Sequence, residues 1–364
     1  MIAMRYLLSP GKTLIVQGPA SVRVLSGEAT ILGAPPQFDR KLIVRQEKQL
    51  PIEASSEVDM EILTGESGKI SEVEGSTIPK SWRSTADSLA EMKEGNVTVV
   101  GATDVGKSTL CTYLTNELLK RRLRLRLIDA DIGQADIGPP TTISIAVPTS
   151  FQSTLADLTP EAMIFIGHTT PSKVETKIID GIRRLVSRKD ETLAIINTDG
   201  WVLDPEAIMY KLDLISAVKP DLVIGISAGT ELDQIFSVSA ARSMRVETSN
   251  VALTRSRSDR RDIRIASYRR FLDGGAVRAL SLRNVQVRMP KGLPPIQRWQ
   301  SRDLQNLIVG LLDNEGYLLQ IGVLLGFDGE FIRVYSRPFA RVREIELGFV
   351  RLSTEGIELG YLEI

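Results

Sequence analysis

The feature that most constrains the fold of this chain is a strand-like run that leads into a glycine-rich loop and then a helical segment. Residues 96–100 read NVTVV, residues 101–108 read GATDVGKS, and residues 109–121 read TLCTYLTNELLKR. Glycine, four residues, glycine, lysine and serine between a strand and a helix is the P-loop pattern, and it fits here without a mismatch. Such a loop turns backbone N–H groups inward at a helix N-terminus, where phosphates bind. The sequence therefore predicts an α/β domain that binds a nucleotide.

Apolar runs and helical patterns alternate through the central region, residues 95–285. The runs VTVVG, LRLIDAD, AMIFIG, TLAIINTDG and DLVIGIS are separated by longer segments with helical patterning. Continuous apolar strands separated by helices are typical of a parallel sheet that is covered on both faces. We therefore predict that this region is a parallel-sheet P-loop domain.

Sequence of β character flanks the central region on both sides. Residues 1–94 contain short β-rich pieces punctuated by Gly and Pro, followed by a helical linker that ends at Gly95. This pattern predicts an N-terminal β-sandwich of roughly ninety residues, linker included. Residues 286–364 return to β character, which predicts a small C-terminal β-rich domain.

Composition excludes several kinds of site. Lys plus Arg and Asp plus Glu both total 45, so binding to an acidic partner must come from a local cluster of charge. One cysteine, Cys111, and one histidine, His168, exclude an internal disulfide and argue against a structural zinc site. The first residues lack a signal-peptide pattern, and no apolar run is long enough to span a bilayer. We expect a soluble cytoplasmic protein with no membrane partner.

Each P-loop position has a predicted part in nucleotide binding. The predicted nucleotide-binding residues are Gly101, Ala102, Thr103, Asp104, Val105, Gly106, Lys107, Ser108 and Thr109. Lys107 is expected to reach the β- and γ-phosphates, Ser108 to bind Mg²⁺ through its hydroxyl, and Thr109 to contact an inner phosphate. The Asn-Lys-x-Asp element that reads guanine is missing, and NTDG at 197–200 does not replace it. ATP and Mg²⁺ are therefore the expected cofactors.

Two aspartates stand at the end of the second apolar run of this region. Asp129 and Asp131 are two residues apart in LIDADIGQ, so both carboxylates are expected on one face at the ligand edge of the sheet. One would hold the Mg²⁺ shell, directly or through water, and the other would accept a proton from an attacking hydroxyl. The structural alternative is that Asp131 only caps the next turn or helix.

Five stretches taken together resemble a known family. They are GATDVGKST, DADIGQADIGPP, GHTTPS at 167–172, NTDGWV at 197–202 and RSRSDRRDIRIASYRR at 255–270. In this order and at these separations they resemble the polynucleotide 5′-hydroxyl kinase family that includes the Clp kinase subunit of the mRNA cleavage factor and tRNA-splicing machinery. The resemblance covers nearly the whole chain, and the short single-polypeptide form is most similar to archaeal members.

The resemblance implies roles for residues around the acceptor. Asp131 would orient and deprotonate the RNA 5′-hydroxyl, with Gln134 beside it near the metal or acceptor. Asp129 would be an acidic residue near the metal that acts on it through a bound water molecule or by contacting a direct metal ligand. Thr169 would belong to a clasp that holds the P-loop lysine away until RNA and nucleotide are both in place.

The resemblance also implies that Trp201 stacks on a base, and that Arg255 and Arg260 are lid arginines that stabilise charge on the phosphoryl group in flight. Seven arginines against two aspartates in residues 255–270 suit phosphate contact, although such a run is also typical of a solvated helix face. Trp201 follows a buried strand, so the alternative is that it caps the core. Trp82 is open to two interpretations, a contact to the nucleotide base or packing between domains.

The function that these observations favour is an ATP- and Mg²⁺-dependent kinase for the 5′-hydroxyl end of RNA, with DNA left open as a second acceptor. RNA-processing proteins are the protein partners that the resemblance implies. The rival function is an ATP-binding scaffold that holds nucleotide without turning it over. The presence of Lys107, Asp131 and both lid arginines favours the kinase. His168 is expected to be a structural loop residue, because an aspartate already fills the role of base.

Overall fold

The computed structural model describes residues 2–36, 41–188 and 192–362. The described chain forms two compact units that interleave along the sequence. One contains the described residues of Met1–Leu127, Val147–Leu158 and Lys189–Asp259, and the other contains those of Ile128–Ala146, Thr159–Arg188 and Arg260–Ile364. The sequence suggests three consecutive domains, 1–94, 95–285 and 286–364. These are segments of the sequence, whereas the two units are groups of residues in contact, so the domain boundaries stay a prediction.

The N-terminal part of the first unit is a β-sandwich. Its strands are β1 (Ile2–Leu8), β2 (Lys12–Gln17), β3 (Ala20–Ser26), β4 (Ala29–Thr30), β5 (Leu42–Val44), β6 (Gln49–Ala54), β7 (Val58–Thr64) and β8 (Lys69–Glu74). They form two antiparallel sheets of order β1-β7-β3-β5 and β4-β6-β2-β8. Along β7, Val58, Met60 and Ile62 are buried while Asp59 and Glu61 are not, the period-two pattern of a sheet with one face on a core. The predicted N-terminal β-sandwich is confirmed.

Helices and strands alternate in the next part of the chain. Their bounds are α1 (Lys80–Met92), β9 (Gly95–Val100), α2 (Lys107–Lys120), β10 (Leu125–Ala130), β11 (Thr142–Ala146), β12 (Ala162–Phe165), α3 (Glu175–Val186), β13 (Leu193–Thr198), α4 (Pro205–Val218), β14 (Leu222–Ser227), α5 (Asp233–Val238), β15 (Ser243–Glu247) and α6 (Arg257–Leu272). Single 3₁₀ turns lie at Leu155–Asp157 and Pro171–Lys173. Among the helices that the structure describes, none has both the length and the apolarity needed to cross a bilayer.

The first unit contains a parallel sheet in which β13, β9, β14 and β15 are neighbours in that order. Every residue of β13 is buried, as are the last four of β9. A strand that is covered on both faces must be apolar along its whole length, which is why these segments read as continuous runs in the sequence. The predicted α/β fold with a central parallel sheet is confirmed.

The second unit contains the antiparallel pair β11 and β12 and a C-terminal sheet. The remaining elements are β16 (Ala276–Ser281), β17 (Gln286–Arg288), α7 (Ser301–Leu304), β18 (Leu307–Leu312), β19 (Leu318–Phe327), β20 (Phe331–Ser336), β21 (Glu344–Leu352) and β22 (Glu358–Tyr361), with a 3₁₀ turn at Ile296–Arg298. The sheet order is β16-β20-β19-β18-β21-β17, and β22 pairs with β21. Apolar clusters lie on this sheet, one around Leu307, Ile332 and Ile345 and another around Phe165 and Tyr268. The predicted C-terminal β-rich region is confirmed.

Candidate active site

The P-loop joins the end of β9 to the start of α2, as the sequence predicts. Gly106 precedes the helix with a φ of +100°, and Asp104 within the loop has a φ of +66°. Left-handed backbone of this kind favours glycine and tolerates Asp or Asn. A Cβ on Gly101 would lie 2.5 Å from the carbonyl oxygen of Ile226, so only glycine fits there. The loop thus has the turned backbone at a helix N-terminus that suits phosphate binding.

The first residues of α2 are Lys107, Ser108 and Thr109, the three positions with predicted phosphate and metal contacts. Lys107 is only 6% exposed, and its Nζ donates a hydrogen bond to the carbonyl oxygen of Ala102 at 2.8 Å. The lysine therefore folds back over its own loop. Asn197, near the end of β13, donates from Nδ2 to Ser108 Oγ at 3.3 Å. Sequence reasoning missed Asn197, although a polar side chain at the carboxyl end of a buried parallel strand is a signal for a ligand site.

The turn after β13 packs directly on the P-loop. A Cβ on Gly200 would lie 2.5 Å from Oγ1 and 2.7 Å from Cα of Thr103, a distance that no real side chain tolerates. Thr103 Oγ1 donates to the Gly200 carbonyl oxygen at 3.4 Å. Glycine at position 200 is therefore required by the close approach of two backbones. Trp201, the next residue, is held beside the P-loop as a consequence.

A buried network of charged and polar side chains lies next to Trp201. Asp199 accepts hydrogen bonds from the Tyr210 hydroxyl at 2.8 Å and the Trp201 backbone N–H at 3.0 Å. Lys211, which is 0% exposed, lies 2.9 Å from Asp199 Oδ1. The sequence analysis did not identify Asp199, Tyr210 or Lys211, because their partnership appears only once the strand and α4 are packed together.

The Trp201 indole is half-buried and stacks on Tyr210 with ring centroids 5.7 Å apart. Its Nε1 donates to Asp204 Oδ2 at 2.6 Å. These contacts orient the ring without enclosing it, so one part of the indole remains accessible. Base stacking by Trp201 stays a prediction. Trp82, in contrast, is fully buried, and its Nε1 donates to the Glu247 carbonyl oxygen at 2.8 Å.

Arg255, a predicted lid arginine, contacts Asp104 of the P-loop. Asp104 accepts from the Arg255 backbone N–H at 2.9 Å and from its Nη1 at 3.0 Å. Arg255 Nε donates to the carbonyl oxygen of Glu47 at 2.9 Å. The structure therefore brings together two residues that the sequence placed in the site for separate reasons, and adds Glu47, which sequence reasoning missed.

Asp129 lies near the end of β10 in the second unit and is 1% exposed. Its Oδ2 accepts hydrogen bonds from the backbone N–H groups of Asp136 at 2.7 Å and Ile137 at 3.1 Å. Burial, reinforced by the negative charge of Asp136, raises the pKa of Asp129 to about 7. A carboxyl group with this pKa changes its protonation state near neutral pH, which is a property common in catalytic sites.

Asp131 follows β10 and holds the next turn. Its Oδ1 accepts from the backbone N–H groups of Gly133 at 3.2 Å and Gln134 at 2.9 Å. The capping contact that the sequence analysis gave as an alternative is therefore present, and it does not exclude a role for Asp131 in proton transfer. Gln134 donates from Nε2 to the carbonyl oxygen of Arg260 at 3.3 Å, which brings two predicted site residues of the second unit together.

Thr169, the predicted clasp residue, is buried and hydrogen-bonded through Oγ1 to the Tyr361 hydroxyl at 2.7 Å. His168 stacks on the same tyrosine with centroids 5.2 Å apart, and its Nδ1 accepts from the Thr170 N–H at 2.8 Å. Burial, with a smaller effect of the Lys173 charge, lowers the pKa of His168 to about 4. The imidazole is therefore neutral near pH 7, which suits a structural residue.

Several arginines of α6 have structural partners. Arg264 donates from Nε and Nη2 to the two carboxylate oxygens of Glu358 at 2.6 and 2.9 Å. Arg261 donates to the Glu358 carbonyl oxygen at 2.6 Å. Arg270 donates to the carbonyl oxygens of residues 136 and 137 at 3.1 Å each. Several positive charges of this helix are therefore hydrogen-bonded to groups of the second unit, which the sequence did not predict.

Metal binding has to be judged from the donor atoms. Within residues 2–36, 41–188 and 192–362, no group of three or more His, Cys, Asp or Glu side chains could hold a metal ion by itself. Mg²⁺ at phosphate-transfer sites usually takes one or two protein oxygens and completes its shell with water and phosphate. The Ser108 hydroxyl at the helix N-terminus is a donor of the right chemistry for such a site.

The comparisons with known proteins agree with this geometry. The family model described as mRNA cleavage and polyadenylation factor CLP1 P-loop matches residues 101–274. A polyribonucleotide 5′-hydroxyl-kinase of Pyrococcus furiosus is 30% identical over 328 residues, which cover 76% of this chain and 92% of that protein. A polyribonucleotide 5′-hydroxyl-kinase of Pyrococcus horikoshii is 26% identical over 340 residues, which cover 79% of this chain and 94% of that protein.

A solved structure, that of the wild-type Clp1p–Pcf11p (454–563) complex, matches with a TM-score of 0.72 and covers 96% of this chain and 98% of its own. At 14% identity this likeness shows the fold alone. The identity to the Pyrococcus furiosus protein extends over nearly the whole length of that relative. The resemblance drawn from the five sequence stretches is thereby confirmed, and the chain belongs to the polyribonucleotide 5′-hydroxyl-kinase family with a CLP1-type P-loop domain.

Proposed function

We propose that this chain is an ATP-dependent kinase that phosphorylates the 5′-hydroxyl end of RNA. The observation that carries this proposal is the complete P-loop between β9 and α2, in a chain whose match to a polyribonucleotide 5′-hydroxyl-kinase covers 76% of this chain and 92% of that relative. Phosphoryl transfer depends mainly on positioning and on stabilisation of charge. A loop that grips the donor phosphates is the first requirement for both.

On the donor side, residues 101–109 bind ATP and Ser108 binds Mg²⁺. Mg²⁺ supplies neutralisation of the charge on the transferring phosphoryl group. Lys107 releases the carbonyl oxygen of Ala102, now 2.8 Å from its Nζ, and moves to the β- and γ-phosphates. This exchange is favourable because a phosphate oxygen carries charge and a peptide carbonyl does not.

On the acceptor side, Asp131 accepts the proton of the RNA 5′-hydroxyl, and Gln134 and Asp129 support the metal or the acceptor. A positioned general base typically contributes about a hundredfold to ten-thousandfold to the rate. Thr169 acts in the clasp that holds Lys107 until RNA and ATP are both bound. The support for the roles of Asp131 and Gln134 is the match of the sequence motifs together with their polar contacts, and the support for Thr169 is the motif alone.

Trp201 stacks on a base near the reacting end, and Arg255 and Arg260 stabilise charge on the phosphoryl group. Stacking on an aromatic side chain contacts the base and not the sugar, so DNA ends are also proposed as acceptors. Protein partners from RNA processing are proposed as well, since the solved Clp1p structure is a complex with Pcf11p. Residues 1–94, 95–285 and 286–364 are proposed as the three domains of this kinase.

The test asks whether the γ-phosphoryl group of ATP is transferred to RNA or whether ATP stays bound and intact. Under single-turnover conditions with γ-labelled ATP and 5′-hydroxyl RNA, a kinase moves the label to RNA, whereas a scaffold keeps ATP bound and unchanged. Asp131→Asn should bind ATP normally and lose about a hundredfold or more in transfer rate. Asp180→Asn, at an exposed carboxylate of α3, is the matched control and should transfer at the wild-type rate. Equal rates for the two variants would refute the role of Asp131.

A further inference from the structure

We propose that Asp104 and two residues of the β-sandwich, Glu47 and Gln49, position Arg255 for phosphoryl transfer, so that the N-terminal sandwich takes part in organising the active site. This inference rests on the proposed function. It concerns the segment at residues 247–256, which leads from the end of β15 into α6 and is called here the lid-entry segment. The sandwich, the P-loop and this segment all belong to the first unit.

The lid-entry segment is hydrogen-bonded to N-terminal residues along most of its length. The contacts are Trp82 Nε1 to the Glu247 carbonyl at 2.8 Å, Ser249 Oγ to the Thr77 carbonyl at 2.9 Å, Gln49 Nε2 to the Val251 carbonyl, and Arg255 Nε to the Glu47 carbonyl at 2.9 Å. Two of these four contacts come from neighbouring residues of the sandwich, Glu47 in the turn between β5 and β6 and Gln49 at the start of β6. A connection that needs only to cross the surface would not require such contacts, since loops usually keep their backbone groups in water.

Asp104 holds both the backbone and the side chain of Arg255. One carboxylate oxygen accepts the Arg255 backbone N–H at 2.9 Å, and the other accepts Nη1 at 3.0 Å. Hydrogen bonds between ionised groups are roughly twice as strong as those between neutral groups, and both side chains are mostly shielded from water. Because the Glu47 carbonyl holds Nε at the same time, two separate acceptors fix the plane of the guanidinium.

The negative charge of Asp104 within a phosphate-binding loop explains why Arg255 is held beside it. A carboxylate within a phosphate-binding loop repels the nucleotide unless a cation compensates its charge. Arg255 supplies that charge, and it is held where the P-loop itself determines its position. Asp104 is therefore a positioning residue that acts through Arg255, and the left-handed φ of +58° at Glu47 turns the sandwich carbonyl toward the same guanidinium.

The first test is a double-mutant cycle with Asp104→Asn and Arg255→Lys. Asparagine tolerates the backbone conformation at position 104 and keeps one acceptor oxygen, but it lacks the charge. We expect Asp104→Asn to lower the single-turnover rate by about tenfold or more while ATP-analogue binding stays equal or becomes tighter. The double variant should be no slower than Arg255→Lys alone. Effects that multiply, or weaker ATP binding that accounts for the whole loss, would overturn the proposal.

The second test addresses the sandwich, with Gln49→Ala compared to Gln46→Ala. Gln46 lies in the turn between β5 and β6 and Gln49 is the first residue of β6; of these two side chains, that of Gln49 donates to the lid-entry segment. Gln49→Ala should lower the single-turnover rate severalfold with an unchanged melting temperature, and Gln46→Ala should leave it unchanged. Equal rates for the two variants would overturn the role of the sandwich. An inactive wild-type protein would refute the proposed function and this inference with it, whereas an active wild type with equal variants refutes this inference alone.

Discussion

Replacement of Lys211 by methionine tests the buried network that supports Trp201. The Lys211 ammonium is 0% exposed and lies 2.9 Å from Asp199, which is 2% exposed. Removal of one partner from a buried ion pair typically costs about 3–5 kcal/mol, because the other charge is left buried and uncompensated. The Tyr210 hydroxyl and the Trp201 N–H still donate to Asp199 in the variant. We therefore expect a loss near the lower end, about 3 kcal/mol.

The assay is urea unfolding followed at the tryptophan fluorescence, with the transition midpoint compared at a constant slope. Asp199→Asn combined with Lys211→Met removes both charges and should be more stable than Lys211→Met alone. Lys211→Met should also raise the KM for RNA more than the KM for ATP, since the network orients Trp201. A change below about 0.5 kcal/mol, the usual range for a surface substitution, would refute this account of the network.

Three further outcomes test other parts of the account. His168 is the only histidine, so its imidazole NMR signal is unique, and its shift should show no titration between about pH 5.5 and pH 8. Because the fold favours the neutral ring, His168 contributes stability that is lost as pH falls from 6.5 towards 4, and a midpoint near 6.5 would contradict this. Tyr361→Phe removes the hydroxyl from Thr169 and should cost about 0.5–1.5 kcal/mol and slow transfer; an unchanged rate would separate Thr169 from the reaction. Arg260→Lys should lower the transfer rate more than RNA affinity, with Arg269→Lys as the control, and equal rates would return α6 to a structural role.

The P-loop was predictable because its information is contiguous in the sequence. Gly106 is required by its own left-handed backbone, Gly101 belongs to the same short pattern although the carbonyl oxygen of Ile226 is what excludes a side chain there, and the flanking strand and helix have their own periodicities. The parallel sheet was predictable for a similar reason, since strands buried on both faces read as unbroken apolar runs. These parts of the fold follow from short stretches that carry their own physical signal.

The network beneath Trp201 was not predictable, because each member has an ordinary alternative when read alone. Asp199 and Lys211 are twelve residues apart and become partners only when α4 packs against the end of β13. Lys211 reads as a surface charge on a helix, and nothing local marks it as fully buried. Gly200 shows the same limit, since its need for glycine comes from the backbone of Thr103, ninety-seven residues earlier.

The arginine-rich segment illustrates where a pattern is only partly informative. Its charge predicted contact with an anion, yet Arg264 pairs with Glu358, a partner that lies ninety-four residues away. Arg255 is held by Asp104, and a sequence offers no signal for that pair. Local composition therefore predicted the positive charge of the segment, and tertiary packing determines which arginines pair with other groups of the protein.

The most direct test of the account is transfer of labelled γ-phosphate from ATP to two RNA oligonucleotides of one sequence, one with a 5′-hydroxyl and one with a 5′-phosphate. We expect label on the 5′-hydroxyl RNA alone, and none on either RNA with Lys107→Ala, because that variant lacks the positive charge that contacts the γ-phosphate. ATP that stays bound and intact while neither RNA gains label would contradict the account and identify the protein as a nucleotide-holding scaffold.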